Sequence, residues 1–73
     1  MPDIKYGLTK ELGVLSENSK GWSKEINLVS WNDHDPKYDI RDWSEGHAKL
    51  SKGVTLNAEE IKKLRDILNG IEL

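Results

Sequence analysis

The strongest structural signal in the sequence is a single amphipathic helix near its carboxyl end. Asn57 has the side chain of a helix N-cap, and Glu60 follows it at the spacing of a capping box. Apolar side chains then recur at helical intervals and form one stripe. The stripe consists of Ile61, Leu64, Ile67, Leu68 and Ile71. Asn69 and Gly70 favour an end to the helix. The residues before Asn57 therefore have this one helix to pack against.

The chain before the helix alternates between apolar and polar side chains, which is the two-residue period of half-buried strands. The clearest case is the segment from Lys37 to Trp43. Similar patterns predict three further strands, at Ile4 to Leu15, Trp22 to Trp31 and Gly53 to Leu56. Gly7 and Gly13 predict a bend or bulge in the first of them. Polar, turn-forming residues separate the strands at 16–21, 32–36 and 44–51. Four strands followed by a helix predict an α+β fold with an antiparallel sheet.

The chain is too short to be strongly stabilised by its own core. It has 73 residues, and below roughly 70–80 residues a single core rarely supplies more than about 3–5 kcal/mol. It has no cysteine, which excludes disulfides and thiolate metal sites. A partner subunit is the remaining source of stability, so we expect one domain over residues 1–73 that forms a homodimer.

Several classes of site and location are disfavoured. No apolar run approaches the ~18 residues that a membrane span needs, and the first residues lack the apolar centre of a signal peptide. The sequence contains no G-x-S-x-G, P-loop or G-x-G-x-x-G motif. Asp33-His34-Asp35 is interpreted as the hydrophilic tip of a turn, and His47 as a solvated loop residue. We therefore expect a cytoplasmic protein that is not an enzyme and has no metal, cofactor or membrane partner.

The third strand suggests a binding surface on the side of the sheet turned away from the helix. With Tyr38 and Ile40 placed against the helix, the other side presents charged and aromatic residues. They are Lys37, Asp39, Arg41 and Trp43. Aligned pairing of the second strand adds Asn27 and Trp31. Cations meet phosphates on such a surface, and an aromatic ring stacks on bases at roughly 1–3 kcal/mol per base, so this row predicts binding of a single-stranded nucleic acid.

Two observations weigh against this interpretation. Eleven Lys and Arg face thirteen Asp and Glu, for a net charge of −2, whereas nucleic-acid-binding proteins are often strongly basic. A row of alternating charges is also common on an ordinary solvated sheet, where the charges pair across strands. Binding would therefore depend on the local placement of cations and on stacking.

Two motifs carry a resemblance to a known family. They are Tyr-Asp-Ile-Arg-Asp-Trp at 38–43 and Leu-Ser-Lys-Gly-Val-Thr-Leu-Asn-Ala-Glu-Glu at 50–60. In this order they resemble the positive cofactor four family of transcriptional coactivators, and the stretch 16–31 resembles its bacterial YdbC-type branch. The resemblance implies a curved four-stranded antiparallel sheet followed by a helix, assembled as a homodimer. It also implies binding of single-stranded DNA along the sheet with little sequence preference.

The resemblance also assigns roles to individual residues. Trp31 and Trp43 fall near the family's aromatic residues at the ends of the second and third strands. Arg41 matches the family's arginine in the third strand, and Lys52 matches the basic residue before the glycine that starts the fourth strand. Lys37 has only a loose counterpart.

We therefore predict a homodimeric protein that binds single-stranded DNA, with RNA as a second candidate, and acts in transcription, replication or repair. The predicted nucleic-acid-binding residues are Lys20, Trp22, Lys24, Asn27, Trp31, Lys37, Asp39, Arg41, Trp43 and Lys52. The helix stripe is the predicted dimer interface: Ile61, Leu64, Ile67, Leu68 and Ile71. The alternative is a protein–protein interaction module that uses the same stripe or an edge of the sheet.

Overall fold

A computed structural model describes residues 5–73, which form an antiparallel sheet followed by one helix. The strands are β1 (Tyr6–Glu17), β2 (Ser23–Trp31), β3 (Lys37–Trp43) and β4 (Leu50–Leu56), and the helix is α1 (Ala58–Asn69). A short 3-10 turn at Glu45–His47 precedes β4. Each strand pairs with the next, so β1 and β4 are the edges of the sheet. The predicted α+β fold is confirmed. Within the described part of the chain, no helix has the length and apolar character needed to span a membrane.

The bounds differ from the predicted ones at the two edge strands. β1 continues to Glu17, past its predicted end, while its predicted start at Ile4 lies outside the described residues. β4 begins at Leu50 rather than at Gly53, because Trp43 pairs with Leu50 across an irregularity in the ladder. The residues between Leu50 and Gly53 are polar, so the sequence pattern does not indicate that the strand begins before Gly53.

Irregular pairing bends β1 along the sheet. Its register with β2 shifts at three places, between Leu8 and Lys10, between Glu11 and Gly13, and between Val14 and Ser16. Each such irregularity increases the local twist of the strand. The predicted bulge is confirmed.

Gly53 marks a close approach between β4 and β3. A Cβ atom at this position would lie 2.3 Å from Cβ of Arg41 and 2.5 Å from the carbonyl oxygen of Ile40. Only glycine fits there, which explains why Lys-Gly-Val occurs in the middle of a strand.

The helix begins as predicted. Asn57 Oδ1 accepts a hydrogen bond from Glu60 N at 2.8 Å, and Asn57 N donates to Glu60 Oε1 at 2.9 Å. These two bonds complete the capping box. The backbone N–H of Gly70 donates to carbonyl groups of the last turn and ends the helix.

Ile26 and Tyr38 line small cavities together with residues of α1, which identifies their side of the sheet as the one that faces the helix.

The buried core lies on the other side of the sheet. Val29 and Trp43 are buried there, together with the polar residues Glu25, Asn27 and Asp39. They alternate along β2 and β3 with the apolar residues that face the helix, and successive strand residues point to opposite faces. No residue of α1 is buried. The expectation that the side turned away from the helix is open is therefore wrong.

Curvature is the physical reason for this burial. Tyr6 pairs with Trp31 at one end of β2, and Trp43 pairs with Ser23 at the other end. The rings of Tyr6 and Trp43 nevertheless have centroids only 5.5 Å apart. The sheet must curl so that both ends of β2 approach each other over the same side. We call this side the concave face, and its residues are Tyr6, Glu25, Asn27, Val29, Trp31, Asp39, Arg41 and Trp43.

Candidate nucleic-acid interface

An aromatic cluster fills the concave face. The Tyr6 ring lies between two indoles, with its centroid 5.8 Å from that of Trp31 and 5.5 Å from that of Trp43. The His47 ring meets Trp43 edge-on at 5.3 Å. Tilted and edge-on pairs of this kind contribute about 0.5–1.5 kcal/mol beyond the area they bury. Trp43 has 0 % of its surface exposed, whereas Trp31 is half-buried and keeps surface at the rim.

Both indoles of the concave face have an unmet hydrogen-bond donor. Nε1 of Trp31 and Nε1 of Trp43 are buried without an acceptor among residues 5–73. A buried donor left unpaired costs about 1–3 kcal/mol. The cluster is therefore held by ring packing, and an additional acceptor on this face would be favourable.

Arg41 is held by a buried carboxylate. The Asp39 side chain is fully buried and accepts hydrogen bonds from Nε and Nη2 of Arg41 and, at 2.9 Å, from Thr55 Oγ1. Arg41 Nη1 donates to the carbonyl oxygen of Ser51 at 3.1 Å. The guanidinium lies 4.6 Å above the centre of the Trp31 ring. Arg41 was predicted to contact phosphates, but its charge is neutralised here and each of its guanidinium nitrogens already donates a hydrogen bond within the chain. In this arrangement it positions Trp31.

His47 fastens the turn before β4 to the concave face. Glu25 accepts hydrogen bonds from Ser23 Oγ and from Asn27 Nδ2, and its Oε1 lies 2.9 Å from His47 Nε2. Burial alone would raise the pKa of Glu25, but hydrogen bonds from Ser23, His47 and Asn27 and the charge of His47 outweigh burial and lower it. The Tyr6 hydroxyl donates to the carbonyl oxygen of His47 at 3.3 Å. The interpretation of His47 as a solvated loop residue is wrong, because contacts distant in sequence decide its position.

The four predicted lysines are all exposed, and none makes an ion pair with another described residue. They are Lys20, Lys24, Lys37 and Lys52. Lys37 is paired with Val29, at the end of the concave face where Trp31 lies. Lys24 alternates with the concave residues and belongs to the helix-facing side. The structure therefore does not bring all the predicted cations onto one face. Trp22 lies just before β2 and is half-buried.

Three of the predicted contact residues offer almost no surface. Asn27 is 1 % exposed, and Asp39 and Trp43 are 0 % exposed. Asp39 binds Arg41, Asn27 binds Glu25, and Trp43 packs on Tyr6. In this arrangement the three residues support the concave face from within.

The apolar stripe of α1 divides into two parts. Ile61 and Leu64 are half-buried against the sheet. Farther along the helix and just beyond it, Ile67 is 61 % exposed, Leu68 45 % and Ile71 49 %. The second part of the stripe is thus left uncovered by a single chain.

Comparison with known proteins identifies a family. Residues 18–67 match the family described as Transcriptional Coactivator p15 (PC4), a range that extends from the β1–β2 turn into α1. A protein of Treponema pallidum (strain Nichols), described as an uncharacterized protein, is 48 % identical over 71 residues. The alignment covers 97 % of this chain and 84 % of that protein.

Proposed function

Because the chain belongs to the transcriptional coactivator p15 (PC4) family, we propose that it is a homodimer that binds single-stranded DNA with little sequence preference. RNA is a second candidate ligand, and transcription, replication or repair is the process served. One observation carries the proposal: the half-buried Trp31, positioned by Arg41, shares one end of the concave face with the exposed Lys37.

The proposed mechanism combines phosphate neutralisation with stacking. Exposed lysines follow the backbone of the strand, and the accessible parts of two indoles meet its bases. The proposed contacts are Lys20, Trp22, Trp31, Lys37 and Lys52, whereas Lys24 belongs to the helix-facing side. The remaining predicted residues, Asn27, Asp39, Arg41 and Trp43, hold these contacts in place. Since each base has an aromatic face, stacking of this kind tolerates any sequence.

The proposed homodimer accounts for the uncovered apolar side of α1. Among the described residues only Val29 and Trp43 are buried apolar residues, which is a small core for a domain of this length. Val54, Ile67 and Ile71 expose about half of their surface or more. Covering them with a second copy would contribute roughly 25 cal/mol for each Å² of apolar surface removed from water.

Fluorescence anisotropy with a labelled oligo-dT strand tests nucleic-acid binding. We expect binding that weakens steeply with added salt, since each neutralised phosphate releases counterions. Lys37→Ala should weaken binding and lower the slope of log K against log[salt] by about one. Lys63→Ala, which removes an exposed lysine of α1, is the matched control and should leave both unchanged. No binding to oligo-dT at low salt, or equal binding to duplex DNA, would exclude the proposal.

The alternative function, a protein–protein interaction module, is favoured by one observation. The edge strand β1 exposes Leu12, Val14 and Leu15 at 41 %, 56 % and 60 %. An exposed edge carries unpaired backbone N–H and C=O groups that a strand of another protein can occupy. A Leu15→Lys variant that loses a protein partner but keeps oligo-dT binding would show that this edge serves a separate purpose.

A further inference from the structure

We infer that Glu11, Glu25 and His47 form a binding site for a divalent transition-metal ion of the Zn²⁺ type. One donor atom from each of the three side chains lies within 4.8 Å of the other two. His47 Nε2 is 2.9 Å from Glu25 Oε1, and His47 Nδ1 is 3.6 Å from Glu11 Oε1. The three residues come from β1, β2 and the 3-10 turn, so the fold assembles a set that no local spacing in the sequence reveals. This inference is independent of the proposed nucleic-acid binding.

The central carboxylate is fixed by neighbouring side chains. Glu25 is 7 % exposed, and it accepts hydrogen bonds from Ser23 Oγ and Asn27 Nδ2. Asn27 Oδ1 in turn accepts a hydrogen bond from Leu12 N at 3.3 Å, next to Glu11 in the chain. Metal sites use outer hydrogen bonds of this kind to orient their ligands. Glu25 and the backbone beside Glu11 are therefore positioned in advance.

The imidazole is also held in place. The Tyr6 hydroxyl binds the carbonyl oxygen of His47 at 3.3 Å, and the ring edge of His47 rests against Trp43. Because Trp43 is fully buried, it gives the ring a rigid wall. Glu11 is the most accessible member, since 66 % of its side chain is exposed.

The electrostatic surroundings favour a cation. Two cavities of about 370 and 350 Å³ lie on either side of Glu25 and His47 and are open to solvent. Their linings include Glu11, Glu17 and Glu45 but no lysine or arginine. Carboxylates attract a positive ion, so this corner of the concave face suits a metal ion. The open space leaves room for water molecules to complete the coordination.

The donor set indicates the class of ion. One imidazole nitrogen and two carboxylate oxygens suit Zn²⁺, Co²⁺ or Mn²⁺ better than Ca²⁺ or Mg²⁺, which prefer oxygen donors only. Bonds of about 2.0–2.2 Å allow two donors to lie at most about 4.4 Å apart. An ion binds one nitrogen of an imidazole, so it would use Nε2, which faces Glu25, and the exposed Glu11 carboxylate would turn from the Nδ1 side towards it. The ion would replace the hydrogen bond between His47 and Glu25. It would link the edge strand β1 to β2 and to the turn before β4.

Calorimetric titration of the chelator-treated protein with Zn²⁺ tests the inference. We expect one equivalent of Zn²⁺ to bind and to raise the unfolding temperature, because an ion that binds only the folded state stabilises it. Co²⁺ should give the ligand-field absorption of a protein-bound ion. The His47→Gln variant should lose at least about tenfold in affinity, the lower end of what changes around a metal site cost. His34→Gln removes the other histidine, which is exposed in a turn, and should leave the affinity unchanged.

Broadening of NMR signals by Mn²⁺ tests the unaltered protein, in case His47→Gln fails to fold. Substoichiometric Mn²⁺ should broaden the signals of Glu11, Glu25 and His47 before those of His34. The inference is overturned if the native protein shows no saturable uptake of Zn²⁺, if His47→Gln folds and binds as tightly as the native chain, or if Mn²⁺ broadens the signals of His34 first.

Discussion

The two faces of the sheet differ in burial, and the difference is the reverse of what the polarity of their side chains predicts. The side that faces α1 carries aliphatic residues such as Ile26, Leu28 and Ile40, yet these are only half-buried. The concave face carries carboxylates, an amide and an arginine, yet it holds every buried residue among those described. Burial in this protein follows the curvature of the sheet more closely than the hydrophobicity of the side chains.

The difference shows what each face needs in order to be stable. The concave face can be buried within one chain because its charged groups are paired there. Arg41 pairs with Asp39, and His47 pairs with Glu25. Buried charges are tolerated when they are paired and hydrogen-bonded. The helix-facing side is only partly covered by α1, and the proposed second copy of the chain would cover its remaining apolar residues.

The largest expected effect is the loss of Trp43. Trp43→Ala removes a fully buried indole that packs on Tyr6 and His47, and we expect the free energy of unfolding to fall by about 3–5 kcal/mol. Urea denaturation followed by circular dichroism at fixed protein concentration measures this. Trp22→Ala removes a half-buried indole and should cost clearly less. Equal losses in the two variants would mean that the concave face is not the core.

The next effect is the loss of the carboxylate that holds Arg41. Asp39→Ala leaves a nearly buried guanidinium without its partner. Breaking a buried ion pair in this way costs about 3 kcal/mol or more, and we expect the free energy of unfolding to fall accordingly. The double variant with Arg41→Met should recover part of this loss, because no unpaired charge remains. A cost near zero for Asp39→Ala, measured in the same urea experiment, would indicate that Arg41 is free to contact phosphates.

A smaller effect is expected on binding when Trp31 is removed. Trp31→Ala should weaken oligo-dT binding by about 1–3 kcal/mol if its accessible part stacks on a base. Tyr38→Leu removes an aromatic ring from the helix-facing side and serves as the control, which should bind as the native chain does. Anisotropy titrations at one salt concentration compare the three proteins. If only Tyr38→Leu bound oligo-dT more weakly, the binding surface would lie on the helix-facing side instead.

The smallest effect concerns the start of α1. Asn57→Ala removes the side chain that accepts from Glu60 N, and loss of such a cap costs about 1 kcal/mol. Asn69→Ala, at the exposed end of the same helix, should change the free energy of unfolding much less. Thermal unfolding of both variants provides the measurement. A similar loss in both would mean that the cap does not set the stability of the helix-facing side.

Local patterns in the sequence predicted the elements but not the three-dimensional role of the concave face. The order of strands, the bulged β1 and the cap at Asn57 follow from alternation, glycine positions and side-chain chemistry within a few residues. Which face is buried depends on the curl that brings Tyr6 to Trp43, and pairing that is distant in sequence determines that curl. For the same reason the association of His47 with Glu25 gave no signal in the sequence.

The mass of the protein in solution tests the difference between the two faces most directly. Sedimentation equilibrium of the native chain should give twice the mass of one chain, because another copy covers the second part of the α1 stripe in the proposed homodimer. Ile67→Glu places a charge where a single chain is already 61 % exposed, so it should keep the native circular dichroism and sediment as one chain. A native protein that sediments as one chain at all concentrations would contradict the account, as would an Ile67→Glu variant that keeps the doubled mass.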